Sequence, residues 1–204
     1  MKQIVVKGIL LLLIVVVCIL IVHCVKLLLV QAETERLMAE YPVKFDDLIL
    51  RQAQVYELNP YLVLSIMRCE SSFDPEAVSP VGARGLMQVM PDTGSWIAHK
   101  LDEEPFDADV LFDPETNIRY GCWYLSFLKR RLNGNQDAMI AGYNAGHGIV
   151  EDWLQNTDYT QQGMLVNIPY PETARYLEKV NIALAQYQTL YPDLFAAIDA
   201  PLEP

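Results

Sequence analysis

The sequence predicts an all-α domain behind one apolar N-terminal helix, on three observations. Between Phe45 and Leu190, apolar residues recur at helical spacing in segments bounded by proline, Asx and glycine cap signals. No segment alternates apolar and polar residues for long enough to make a strand. The first thirty residues are almost uniformly apolar and lift the apolar fraction of the chain to 52%.

The N-terminal run is apolar from Gly8 to Val25 apart from His23, and it resumes at Leu27 after Lys26. That nearly matches the roughly 20 residues a helix needs to cross a bilayer. Lys2 and Lys7 precede it, while Glu33 and Glu35 follow. By the positive-inside rule the N-terminus stays in the cytosol and the remainder lies outside. A cleaved signal peptide is the alternative, since Val30-Gln31-Ala32 offers a small-residue cleavage site. The apolar run exceeds the usual signal core of about 7–15 residues, which favours an anchor over 1–31. Bulky Val17 and His23 precede Cys18 and Cys24, unlike the small residue expected before a lipoprotein cysteine.

A polar link over 32–41 leads to the domain, expected over 42–191. Its first helix is predicted from Phe45 to Glu57, with Phe45, Leu48, Ile49, Gln52, Val55 and Tyr56 on one face. Asn59-Pro60 fits an N-cap followed by proline at the first helical position. The helix it opens, Pro60 to Glu70, carries Val63, Ile66, Met67 and Glu70 on a common side. A turn-rich loop follows, and Asp92 is the expected cap of a short helix through Lys100. Pro105 to Asp113 is predicted as loop. Asp113-Pro114 opens a long helix to Leu132 with a core stripe of Ile118, Cys122, Leu125, Leu128 and Leu132, and Asn133-Gly134 ends it. Further helices are predicted over Asp137–Ala145, Ile149–Leu154 and Pro171–Leu190. The proline-bearing tail, 192–204, is expected to fray.

Glu70 sits where a helix ends and a Gly/Pro loop folds back. A carboxylate near the negative end of a helix dipole, on an apolar stripe, holds its proton to higher pH than usual. That is what a general acid requires. The same position also suits an ordinary solvated helix-end glutamate.

Composition excludes some functions. Formal net charge is −11, and the first thirty residues contribute three lysines and no acid, so the remainder carries −14. A domain this acidic has no electrostatic footprint for nucleic acid. No CxxC or His/Cys spacing suggests a metal site. Cys69 and Cys122 fall on predicted helices. They read either as a disulfide, which an oxidising exterior permits, or as two buried thiols.

Four motifs carry a resemblance. Glu70-Ser71, Gly85-Leu86-Met87-Gln88, Gly142-Tyr143-Asn144-Ala145-Gly146 and the run from Ile168 to Tyr176 occur in order, between about Tyr41 and Tyr187. Together they resemble the motifs of the soluble lytic murein transglycosylases. The resemblance implies a lysozyme-like helical domain of the goose-type lysozyme and lytic transglycosylase kind, acting on peptidoglycan glycan strands. It implies no cofactor and no metal. It casts Glu70 as the single general acid/base for the bond between N-acetylmuramic acid and N-acetylglucosamine, the substrate supplying its own nucleophile to close a 1,6-anhydro ring. Ser79 takes the place of a hydroxyl near the substrate acetamido group, and Met87 and Gln88 match positions lining the sugar cleft. Tyr143 matches a tyrosine that hydrogen-bonds the catalytic carboxyl, Asn144 its neighbour, and Glu172 a second acid that contacts bound saccharide. Ser71 more simply binds backbone at the helix end. His99 and His147 read as structural or exposed, and Trp96, Trp123 and Trp153 as core residues, with sugar stacking the alternative. Cys69 and Gly142 depart from the family's commoner polar residue and alanine. A goose-type lysozyme and a non-catalytic glycan-binding domain are the rival functions.

Overall fold

The computed structural model describes residues 2–196, and the last part of the expected tail lies outside them. The chain divides at Pro42 into two compact units. The first is one helix, α1 (Lys2–Glu40). Its described apolar side chains from Leu10 to Val30 are all exposed. The stretch Leu13–Glu40 is long and apolar enough to cross a membrane. The polar link expected over 32–41 is helical as far as Glu40, because Glu33, Arg36 and their neighbours are good helix formers. An Arg36–Glu33 ion pair at 2.7 Å joins one turn to the next.

The second unit is helical. Its elements are α2 (Asp46–Val55), α3 (Pro60–Ser71), α4 (Pro91–Lys100), a short 3₁₀ turn (Ala108–Phe112), α5 (Pro114–Arg131), α6 (Gln136–Ala145), α7 (His147–Gln155) and α8 (Pro171–Leu190). Between α7 and α8 lies a small hairpin, β1 (Thr160–Gln161) with β2 (Met164–Leu165), paired antiparallel. Strands of two residues show no period-two pattern, which is why the sequence hides them.

Local chemistry starts and stops these helices. Asn59 Oδ1 accepts from the Tyr61 N–H at 3.0 Å with Pro60 at the first position, and Asp113 Oδ2 accepts from the Thr116 N–H at 2.9 Å ahead of Pro114. Asp92 is not a cap. Pro91 itself opens α4, which leaves Asp92 in the first turn, where its charge faces the positive end of the dipole. Asn133 and Gly134, both in the left-handed region, end α5 as expected. The segment read as loop before Asp113 winds into the 3₁₀ turn, capped by Asp107.

α3 is the centre of the unit. It packs along α8 and against α2, while α6 touches α5, α7 and α8. Every residue from Leu62 to Met67 is buried, so α3 is enclosed on all sides rather than along one stripe. On α2 only Ile49, Gln52 and Ala53 are buried, and Val55 is exposed, because the helix lies at the edge of the core. The α5 stripe of Ile118, Cys122, Leu125, Leu128 and Leu132 is buried throughout. Beyond α8 the chain turns back: Phe195 is 4% exposed and packs edge-on against Tyr61 at 5.0 Å. The Tyr61 hydroxyl donates to the Tyr191 carbonyl at 2.6 Å. The start of the tail is therefore part of the core, whereas 197–204 lie outside the described residues.

Candidate active site

Glu70 occupies the last turn of α3. The helix cannot continue past Ser71, since Ser72 and Phe73 both take positive φ, and the chain turns into the loop that ends at Pro91. Burial among α3 and α8 pushes the Glu70 carboxyl up to about 7, and the hydrogen bond from Tyr176 opposes the rise. Tyr176 comes from α8, one and a half turns in, and its hydroxyl donates to Glu70 Oε1 at 2.6 Å. Burial first, and then the Glu70 charge, keep the Tyr176 proton far above the ordinary phenol range. This tyrosine therefore remains a donor at any working pH.

Tyr143 was expected to make that bond. Its hydroxyl instead donates to the Met87 carbonyl at 2.8 Å, while its ring lines a cleft. Tyr176 was missed as a site residue, although it stands in the fourth motif. Helical spacing from Glu172 would have put both on one face of α8, but nothing local shows that this face meets α3.

The loop after α3 is held from three sides. Ser71 Oγ donates to the Leu86 carbonyl at 2.8 Å, as a backbone-binding serine should. Asn117 is completely buried on α5; its Oδ1 accepts from the Met87 N–H at 2.7 Å, and its Nδ2 donates to the carbonyls of Leu111 at 2.7 Å and Arg84 at 2.9 Å. Gly85 runs directly beneath it. A Cβ there would lie 2.2 Å from the Leu111 carbonyl oxygen and 2.4 Å from Asn117 Nδ2, and φ is +72°, so only glycine fits. Asn117 escaped notice in the sequence. Its signal was a polar residue four positions before Gly121 on the buried side of α5.

Met87 is a correction. Its side chain is fully buried against Gly121, where a Cβ would meet its sulfur at 2.3 Å, so it fills the core rather than lining a sugar cleft. Gln88 does line the cleft. Its amide nitrogen donates inward to the Gly85 carbonyl at 2.9 Å and the Ala77 carbonyl at 3.1 Å, which leaves Oε1 as an acceptor. Ser79 Oγ accepts from the Ala83 N–H at 3.0 Å, closing the turn at Gly82 and keeping its own proton to donate.

The cleft has a volume of 210 Å³. It is walled by Gln88, Met90 and Thr93 on one side and by Tyr124, Tyr143 and Gly146 on the other. Asn144 forms its edge and is fixed by the Thr173 hydroxyl, which donates to Asn144 Oδ1 at 2.7 Å. On the far side of Asn144 a second concavity of 420 Å³ opens between Tyr170, Glu172 and Thr173. Glu172, in the first turn of α8, is exposed there. No carboxylate lines the first concavity. Among the described residues, no group of His, Cys, Asp and Glu is arranged to hold a metal ion.

The remaining sequence candidates are settled by packing. Cys69 and Cys122 are free thiols, and burial raises both. His99 is exposed, with Nδ1 3.3 Å from Glu104. Trp153 is buried, with Tyr170 edge-on at 5.1 Å. Trp96 and Trp123 are only partly covered.

Known proteins supply the comparison. The family profile described as "Transglycosylase SLT domain" matches residues 47–164. The soluble lytic murein transglycosylase of Escherichia coli K12 is 33% identical over 162 residues, covering 78% of this chain and 25% of that protein. The membrane-bound lytic murein transglycosylase C of Yersinia pestis (strain Pestoides F) is 35% identical, covering 71% of this chain and 47% of that one. This chain thus spans a quarter to about half of the length of these relatives. The crystal structure of the 70-kDa soluble lytic transglycosylase of E. coli superposes with a TM-score of 0.70 at 32% identity, covering 80% of this chain and 27% of that one. An inactive mutant of lytic transglycosylase Slt from Pseudomonas aeruginosa superposes with a TM-score of 0.67 at the same identity, covering 76% and 25%. A match over more than half of the chain, with agreement of fold at this identity, establishes that the chain belongs to the transglycosylase SLT domain family.

Proposed function

We propose that this chain is a peptidoglycan lytic transglycosylase, held at the membrane by α1 with its catalytic unit outside the cytoplasm. The observation that carries the reading is Glu70: a carboxyl whose proton is held to about 7 and steadied by Tyr176, close enough for its charge to act on Tyr143, whose ring walls the cleft. The protonated carboxyl gives its proton to the glycosidic oxygen as the bond to C1 of N-acetylmuramic acid breaks. The acetamido oxygen of the same sugar stabilises the electron-poor C1. The Glu70 carboxylate then takes the proton of the C6 hydroxyl as that oxygen closes on C1. The proton is returned, no water is consumed, and the strand ends in a 1,6-anhydro ring. Acid–base catalysis of this kind contributes roughly 10²- to 10⁴-fold.

The paired-carboxylate alternative would give Glu172 a catalytic role, whereas we assign that residue to saccharide binding. A hydrolase of the two-acid kind needs a partner carboxyl about 5–9.5 Å away, and Glu172 opens on the neighbouring concavity. Gln88 Oε1, Ser79 and Asn144 are the proposed polar contacts for sugar hydroxyl and amide groups. Met87 serves through its backbone, by fixing Tyr143.

Digestion of purified peptidoglycan tests the reaction. Products resistant to borohydride and lighter by one water are expected. Reducible ends would make the protein a lysozyme, and no release at all would leave a glycan-binding domain. The anchor is tested by cell fractionation and sequencing of the mature N-terminus. A membrane-bound chain that retains its apolar run is expected, and a soluble protein beginning at Glu33 would identify the run as a cleaved signal.

A further inference from the structure

The wall of the cleft continues outward as a cluster of aromatic rings that the mechanism does not use. Thr93 lines the cleft, and one turn along α4 stands Trp96; Tyr124 lines it, and one turn along α5 stands Phe127. Trp96 meets Trp123 and Phe127 edge-to-face, with ring centroids 5.0 Å apart in both pairs. Trp123 and Phe127 lie within 3° of parallel at 5.9 Å. His147, next to the cleft residue Gly146, stands edge-on to Phe127 at 5.1 Å. Tyr124 joins the cluster to Tyr143, at 5.6 Å, and so to the catalytic end.

All of these rings are partly exposed. Trp153 and Tyr187, by contrast, are buried. The rings of the cluster brace one another, so little side-chain freedom remains to be lost on binding. A pyranose suits such a surface, because its C–H face is apolar and its hydroxyls point sideways into water. A polymer lying in the cleft would run on over it.

We propose that Trp96, Trp123 and Phe127 form a platform that holds saccharides of a long glycan strand beyond those at Glu70. The inference rests on the glycan-cleaving reading above and adds a preference for strand length. The full chain carrying Glu70→Gln holds glycan without turnover, so calorimetric titration with a peptidoglycan tetrasaccharide and an octasaccharide measures the preference. The octasaccharide is expected to bind more tightly. The ratio of the two affinities is expected to fall about tenfold when Trp96→Leu and Trp123→Leu are added. Trp96→Phe, which keeps a flat ring, is expected to retain most of the ratio, whereas a purely structural role would make the two replacements alike. Equal affinity for both lengths, or a ratio that the leucines leave unmoved, would overturn the platform alone. No binding of either strand would overturn the glycan reading with it. A dimer in sedimentation that Trp96→Leu dissolves would assign the face to a second copy instead.

Discussion

Glu70 is expected to weaken the fold, and Glu70→Gln to relieve it in a pH-dependent way. The carboxyl keeps its proton to about 7 when folded, against 4.5 for the free side chain. Between those values the folded chain binds more protons at this site than the unfolded chain does. Stability from this group therefore falls as pH rises through that window and levels off above it. The interval, at about 1.36 kcal/mol per pH unit, amounts to about 3 kcal/mol. Glutamine keeps the volume and stays neutral, and its carbonyl can still accept from Tyr176. Near pH 5 the variant and wild type are expected to melt together, within about 1 kcal/mol. Near pH 8 the variant gains up to about 3 kcal/mol, or roughly 6–12 °C for a domain of this size. Thermal melts of both proteins followed by circular dichroism at the two pH values make the comparison. A difference equal at both, or larger in acid, would refute burial as the cause of the raised proton affinity.

Tyr176→Phe removes a donor to the charged form of Glu70, so the alkaline limb of the kcat/KM profile is expected to rise by roughly one to two pH units; an unmoved or lowered limb would dismiss the bond. Gly85→Ala sets a Cβ against the Leu111 carbonyl at a positive φ, and urea unfolding is expected to show a loss of about 3 kcal/mol or more. A loss under about 1 kcal/mol would mean that the loop can move aside. Phe195→Ala empties a buried site against Tyr61 and is expected to cost about 3 kcal/mol in the same assay; a neutral result would return this segment to a frayed tail.

Much of the fold is written in interactions that span only a few residues. Apolar spacing, Asn59-Pro60, Asp113-Pro114 and Asn133-Gly134 act within one or two turns of where they stand, and the sequence alone located the helices they bound. For Glu70 the local pattern allowed either an acid with a retained proton or an ordinary helix-end carboxylate, and the resemblance of the four motifs pointed to the first. The tertiary structure decided the rest. Which tyrosine reaches Glu70 depends on how α8 lies on α3, across 106 residues of chain. Tyr143 and Tyr176 carry the same hydroxyl, and only that packing separates them. Met87 and Gln88 are neighbours, yet Asn117 and Gly121 draw one into the core, while the left-handed backbone at Gln88 turns the other toward the cleft. A side chain's chemistry is fixed by its own atoms, but the dielectric and the partners around it come from residues far away in the sequence.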